Sequence, residues 1–398
     1  MKQGGHSRCV IDFHAHLMLP EIYAVTGPHS MFVKSNTDPT MTEAARQGVR
    51  AREAVLVARM SDVTERIAHM DAMGVDMQVL SSSLVQLSTY WAEPQESLRM
   101  ERMLNDRMAA VVAANPKRLI GLGGVPLAAP ALAVAELKRC MGELSLAGVG
   151  ISTTARDMEL GDAALRPFWE KAEELGAVVY IHPAGNTGAR FAKWYLWNSI
   201  GQAFEEAMAI ASLMYEGILD AFPQLKICIS HGGGYMPYYM GRIARNYVEK
   251  PATRVNMKKS PAEYLRMLYF DSCVSEPEVL EALVRRVGAD RVVLGSDYPV
   301  GEPKPVEFVE SSALSPEDKE KIIGVNAAQL FGIKLGDRVE VRPTASRGVY
   351  IEEPGDGRSY RERLEALANE RIIRDITTDE LMKMTRGDPA EDPPVEPQ

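Results

Sequence analysis

The chain has 398 residues, 46% hydrophobic and 25% charged, an ordinary globular composition that suits one (β/α)8 barrel with insertions or two smaller domains. Its net charge of −9, with 54 acidic against 45 basic residues and no Lys/Arg-rich run, argues against nucleic acid or an anionic membrane as a partner. No window reaches the roughly 18 uninterrupted apolar residues of a membrane span, and the amino terminus, MKQGGHSRCVIDF, carries no secretion signal, so a cytoplasmic protein is expected.

Eight short β-rich runs alternate with amphipathic helical stretches. The first, Cys9–His16, is followed by Leu17–Arg59, a long segment of mixed character expected to form a lid or small insertion near the barrel mouth. A helix over Asp62–Met73 leads to the second strand, Asp76–Ser83, and one over Pro94–Asn115 to the third, Leu119–Leu127. Pro130–Leu146 is helical, Gly148–Thr153 is the fourth strand, and Asp162–Leu175 is the next helix. The fifth strand, Val178–His182, precedes a second lid candidate, Gly185–Ile200, rich in Gly, Trp and Arg. Strands six to eight fall at Lys226–His231, Leu268–Val274 and Val292–Asp297, with helices at Pro277–Val287 and Pro316–Phe331. Most of these strands are continuous apolar runs, the pattern of parallel strands buried on both faces. Eight such units in about 325 residues favour a closed (β/α)8 TIM barrel over an open doubly wound sheet.

Past residue 333 the composition changes. Residues 334–384 are expected to form an extension, with a hairpin near Arg338–Ile351 and a charged helix over Tyr360–Ile373, and 385–398 to form a flexible tail. The four cysteines are widely spaced and read as buried reduced thiols.

The chemistry gathers at strand ends. His14 and His16 close the first strand, and residues two apart on a strand face one side. His182 ends the fifth strand, His231 the sixth and Asp297 the eighth, where the catalytic groups of such barrels sit. Of only seven histidines, four occupy these ends. Imidazole nitrogens with a carboxylate suit one divalent ion, Zn2+ first and Mn2+ second. The fourth strand, GVGISTT, has no lysine to bridge a second ion. His231, ahead of Gly232, Gly233 and Gly234, reads as an acid/base group or as a further ligand. Asp297 reads as a ligand, as a proton acceptor or as both. Arg242 has the planar fork that binds a carboxylate, and is alternatively a solvated helix arginine. Trp194, with Arg190 and Lys193, either covers a planar substrate or only packs.

The segments IDFHAH, HMDAMGVDMQVLS, GGVPL, VVYIHP, FPQLKICISHGGGYMPYYMGRI and VVLGSDYPVGEPKP resemble the decarboxylating branch of the amidohydrolase superfamily, that of the 2-amino-3-carboxymuconate-6-semialdehyde decarboxylase-like enzymes. The resemblance runs from about Cys9 to Ile333. It implies a distorted barrel holding one Zn2+ or Mn2+, with His14, His16, His182 and Asp297 as ligands and His231 as the catalytic acid/base. It also implies a homodimer in which Arg242 serves a neighbouring subunit's site, and a lid tryptophan at Trp194. Ala184 stands after Pro183 where the muconate enzyme has a tryptophan, and Arg50 and Arg52 are the nearest candidates for its second substrate arginine. The expected reaction is loss of CO2 from an unsaturated or aromatic carboxylic acid in catabolism. Hydrolysis of a C–C, amide or lactone bond is the alternative.

Overall fold

A computed structural model of the chain describes residues 9–29, 38, 40–83, 91–185 and 188–333. The expected hairpin, charged helix and tail beyond residue 333 lie outside the described residues.

Eight parallel strands pair in sequence order: β1 (Ile11–Leu17), β2 (Met77–Ser82), β3 (Leu119–Gly123), β4 (Gly148–Ile151), β5 (Val178–Ile181), β6 (Lys226–Ile229), β7 (Tyr269–Asp271) and β8 (Val292–Val293). Backbone hydrogen bonds return the last strand region to the first: Phe13 N donates to the Leu294 carbonyl at 2.7 Å, and Tyr298 N to that of His14 at 3.1 Å. At least one helix follows every strand, as the right-handed parallel crossover requires. A small antiparallel pair, Thr154–Ala155 with Met158–Glu159, extends the loop after β4.

Several helices begin where a side chain caps a free backbone N–H. The Asp62 carboxylate accepts from Glu65 N ahead of Val63–Met73, and the Ser315 hydroxyl from Asp318 N ahead of Pro316–Glu320. The Val63–Met73 helix stops at Gly74, whose φ of +70° favours glycine. The Leu17–Arg59 segment contains helix Pro20–Thr26 and most of a 19-residue helix, Glu43–Ser61, capped by Thr42. The sequence reading named no helix there, because only Leu56 and Met60 are buried and the apolar stripe is short.

Apolar side chains fill the barrel and separate it from the helices. Ile11, Phe13, Met77, Val79, Leu122, Val178, Tyr180, Cys228 and Val293 form one cluster drawn from six strands. A larger cluster on the intervening positions includes Leu80, Val149, Val179, Ile181, Ile227 and Ile229 together with helix residues. This alternation is what a closed sheet under a ring of helices imposes. All four cysteines are free thiols. No helix among the described residues is long and apolar enough to cross a membrane.

Candidate metal centre

β1 positions two imidazoles by a local irregularity. Its register against β2 moves three residues, Asp12 to Ala15, while β2 moves two, Gln78 to Leu80. One extra residue is a β-bulge, which switches the phase of the alternating side chains. Ile11 and Phe13 pack in the inner apolar cluster, and past the bulge His14 and His16 converge with His182 and Asp297.

A buried scaffold from β1, β2, the helix Val63–Met73 and the segment after β8 holds that bulge. Asp12 Oδ1 accepts from Ser296 N at 2.9 Å and His14 N at 3.2 Å, and Oδ2 from Ser296 Oγ at 2.6 Å and Gln78 Nε2 at 2.9 Å. Gln78 in turn accepts from Arg66 Nη1 at 3.0 Å, and Arg66 Nη2 donates to the His16 and Met60 carbonyls. Buried charges this well bonded are costly to disturb.

The four groups form a tight constellation. One ligand atom from each of His14, His16, His182 and Asp297 lies within 4.8 Å of every other. His14 Nε2 and His16 Nε2 are 3.2 Å apart, and Asp297 Oδ1 is 3.1 Å and 2.9 Å from them. His182 donates through Nδ1 to the Pro183 carbonyl at 2.9 Å, which leaves its buried Nε2 without a hydrogen-bond partner among the described residues. An orphaned nitrogen beside two imidazoles and a carboxylate fits a divalent ion, whose ligands at 2.0–2.2 Å would draw this set in by a few tenths of an ångström, to within about 4.4 Å of one another. Asp297 has a φ of +55°, a left-handed conformation that a non-glycine residue adopts at a cost, and β8 ends as a regular strand four residues before it.

The carboxylate of Asp271, at the end of β7, stands behind His14, with Oδ2 2.8 Å from Nδ1. It also accepts from Tyr180 Oη at 3.0 Å and Cys273 N at 3.1 Å. An acceptor behind a ligand histidine fixes which ring nitrogen faces the metal. His231 lies beside the constellation, with Nε2 3.9 Å from Asp297 Oδ2 and Nδ1 2.6 Å from Glu206 Oε1.

The charges follow this geometry. Burial opposes protonation of His14, yet the Asp297 and Asp271 carboxylates outweigh it and push its pKa up to about 9. Burial, then the neighbouring imidazoles, hold His182 well below the usual histidine range, so it is a neutral donor. Burial would raise Asp297, but the charge of His14 and the hydrogen bonds of His14 and His16, with His231 close by, keep its carboxyl well below the ordinary range. Burial opposes charge on His231 as well, and Glu206 and Asp297 overcome it.

The remaining candidates lie elsewhere. Arg190, Arg242 and Arg52 are exposed, with no ion pair among the described residues, and Arg50 is engaged by Glu43 at 2.8 Å. Trp194 is 67% exposed beside Lys193, whose Nζ lies 5.7 Å from the ring centroid. Trp197, three residues on, is buried and packs on Ala184, two residues past His182. The backbone N–H groups of Trp194 and Tyr195 donate to Asp38, so the segments expected to form the two lids meet there. Sequence reasoning missed Asp12, Arg66, Glu206 and Asp271. All four carried a visible signal, a charge in an apolar strand or on the buried stripe of a helix.

The amidohydrolase family matches residues 11–333. Among curated proteins, the chain is 38% identical over 277 residues to 2-amino-3-carboxymuconate-6-semialdehyde decarboxylase of Dictyostelium discoideum, covering 68% of this chain and 77% of that one. It is 29% identical to a gamma-resorcylate decarboxylase of Polaromonas, covering 69% and 89%. Among solved structures, 5-carboxyvanillate decarboxylase of Sphingomonas paucimobilis superposes with a TM-score of 0.71 at 29% identity, over 82% of this chain and all of that one. A dihydroxybenzoic acid decarboxylase of Polaromonas, with bound manganese and the inhibitor 2-nitroresorcinol, superposes with a TM-score of 0.71 at 25% identity, covering 82% and 97%.

Proposed function

The chain belongs to the amidohydrolase family, and on that premise we propose that it is a metal-dependent decarboxylase of an aromatic or unsaturated carboxylic acid. The observation that carries the reading is the buried His14/His16/His182/Asp297 constellation with His231 beside it. Its relatives named above are decarboxylases of such acids, and one neighbour holds manganese. We assign the ligand roles to those four residues and a single ion, Zn2+ first and Mn2+ second.

A divalent ion bound there supplies a Lewis acid toward a substrate oxygen. The protein's own part is proton delivery. As the bond to the carboxylate carbon breaks, its electron pair stays on the ring or alkene carbon, CO2 leaves, and the proton of His231 Nε2 joins that carbon. The charge that His231 carries between Glu206 and Asp297 readies it for this donation.

Substrate recognition falls to Arg242, reaching across a twofold axis, with Arg190 and Trp194 on the second lid. The surface supports a homodimer: Ile200, Phe204 and Met208 form an exposed stripe at four-residue spacing, near exposed Tyr235 and Tyr239. Tyr235 N donates to the Ala203 carbonyl, so the two groups adjoin, and Arg242 lies on the helix that carries Tyr239. A second copy would cover this apolar face.

The test is a panel of hydroxybenzoates and unsaturated diacids, beside lactones, amides and β-diketones, with CO2 and product both measured. Equimolar CO2 and decarboxylated product is expected. Turnover of the lactones, amides or diketones with no CO2 from any acid would overturn the proposal in favour of hydrolysis.

A further inference from the structure

We propose that Glu206 is a positioning residue that fixes the imidazole of His231, an inference that rests on reading His231 as the acid/base group. Glu206 lies on the buried stripe of helix Gly201–Tyr215, with Gln202, Ala209, Ile210 and Leu213. A carboxylate there loses its hydration and is tolerated only if it is bonded. Its bonds converge on the turn after β6. Oε1 accepts from His231 Nδ1 at 2.6 Å and from the buried Ser230 hydroxyl at 2.5 Å, while Oε2 has no hydrogen-bond partner among the described residues.

The backbone does little to aim His231. Its φ is +47°, and Gly232, Gly233 and Gly234 follow at +61°, +78° and +58°, a turn with no side chain to brace the ring. The rings of His14 and His182 lie 5.2 Å and 5.0 Å away, centroid to centroid, and restrain it only by contact. The Asp297 carboxylate, at 3.9 Å, is beyond hydrogen-bond reach. The bond to Glu206 is therefore the one directional restraint on the imidazole among the described residues. An ionised carboxylate only accepts, so it places the proton on Nδ1 and turns Nε2 toward Asp297 and the metal centre.

The experiment compares Glu206→Gln, which keeps an acceptor at this point, with Glu206→Met, which is similar in length and has none. Both remove the charge, so their difference reports the hydrogen bond. Glu206→Met should lower kcat on the order of 10–100-fold with KM changed by less than about threefold, the size typical of partners that orient a functional imidazole. Glu206→Gln should recover at least about tenfold of that loss, and metal content should stay at the wild-type level in both. A second readout needs no turnover: the downfield proton NMR line of the His231 Nδ1–H, assigned by its loss in His231→Ala, should persist in Glu206→Gln and vanish in Glu206→Met. If Glu206→Met does not fold, that line in Glu206→Gln decides, and its absence overturns the inference. Equal kcat in the two variants, or a loss that tracks metal content, also overturns it. An active His231→Ala variant would instead sink the acid/base reading, whatever the Glu206 pair does.

Discussion

Replacing His182 by Ala tests the metal centre with little collateral change. The ring's one hydrogen bond runs to the carbonyl of its own neighbour, Pro183, so no other element loses a partner. Four-ligand zinc sites bind with roughly 10–16 kcal/mol, or about 2.5–4 kcal/mol per ligand, which corresponds to roughly 10²–10³ in Kd. The rings of His14, His16 and His231 lie 5.0, 4.8 and 5.0 Å from that of His182, so the vacated space is polar enough for water. A water ligand would hold the loss near the lower figure, about 10²-fold. The assay is dialysis against buffered Zn2+ or Mn2+ followed by elemental analysis, with Arg190→Ala as a control that should bind like wild type. Wild-type affinity in His182→Ala would refute the assignment.

Further outcomes are expected. His231→Ala should retain the metal and lose at least about 10²–10⁴ in kcat, and metal loss as large as that of His182→Ala would place His231 among the ligands. Metal affinity should rise about tenfold per pH unit from pH 6.5 toward about 9, because His14 must lose a proton before it ligates. Over the same window the metal-free protein should lose stability in urea titrations. A raised folded pKa stabilises fully below the unfolded value of 6.5, and that contribution fades as pH passes through about 9. Arg66→Met strips a donor from Gln78 and from the His16 and Met60 carbonyls, all buried, and should cost at least about 3 kcal/mol in urea unfolding. Mixed Arg242→Ala and His231→Ala chains, each inactive alone, should regain activity as heterodimers. Verified heterodimers that stay dead would confine Arg242 to its own chain.

The sequence by itself determined the eight strands, because parallel barrel strands are apolar on both faces and stand out as continuous runs between capped helices. It also placed His14, His16 and His182 on or directly after their strands, since those runs are legible, whereas His231 and Asp297 fall two and four residues beyond the strands expected to end on them. Three things were decided only in three dimensions. The bulge in β1 depends on a register against β2 that lies more than sixty residues away, and it sets the direction of both β1 histidines. The partners behind the site, Asp271 for His14 and Glu206 for His231, come from distant segments, 257 and 25 residues removed along the chain. A charge on an apolar stripe shows in the sequence that a partner must exist, but folding chooses which one. Trp194, in a turn, and Trp197, three residues on in the short helix Leu196–Ser199, separate into an exposed and a buried ring. A turn followed by a single helical turn is too short to show a period from which to read its inward face, so only the packing of Trp197 on Ala184 settles it.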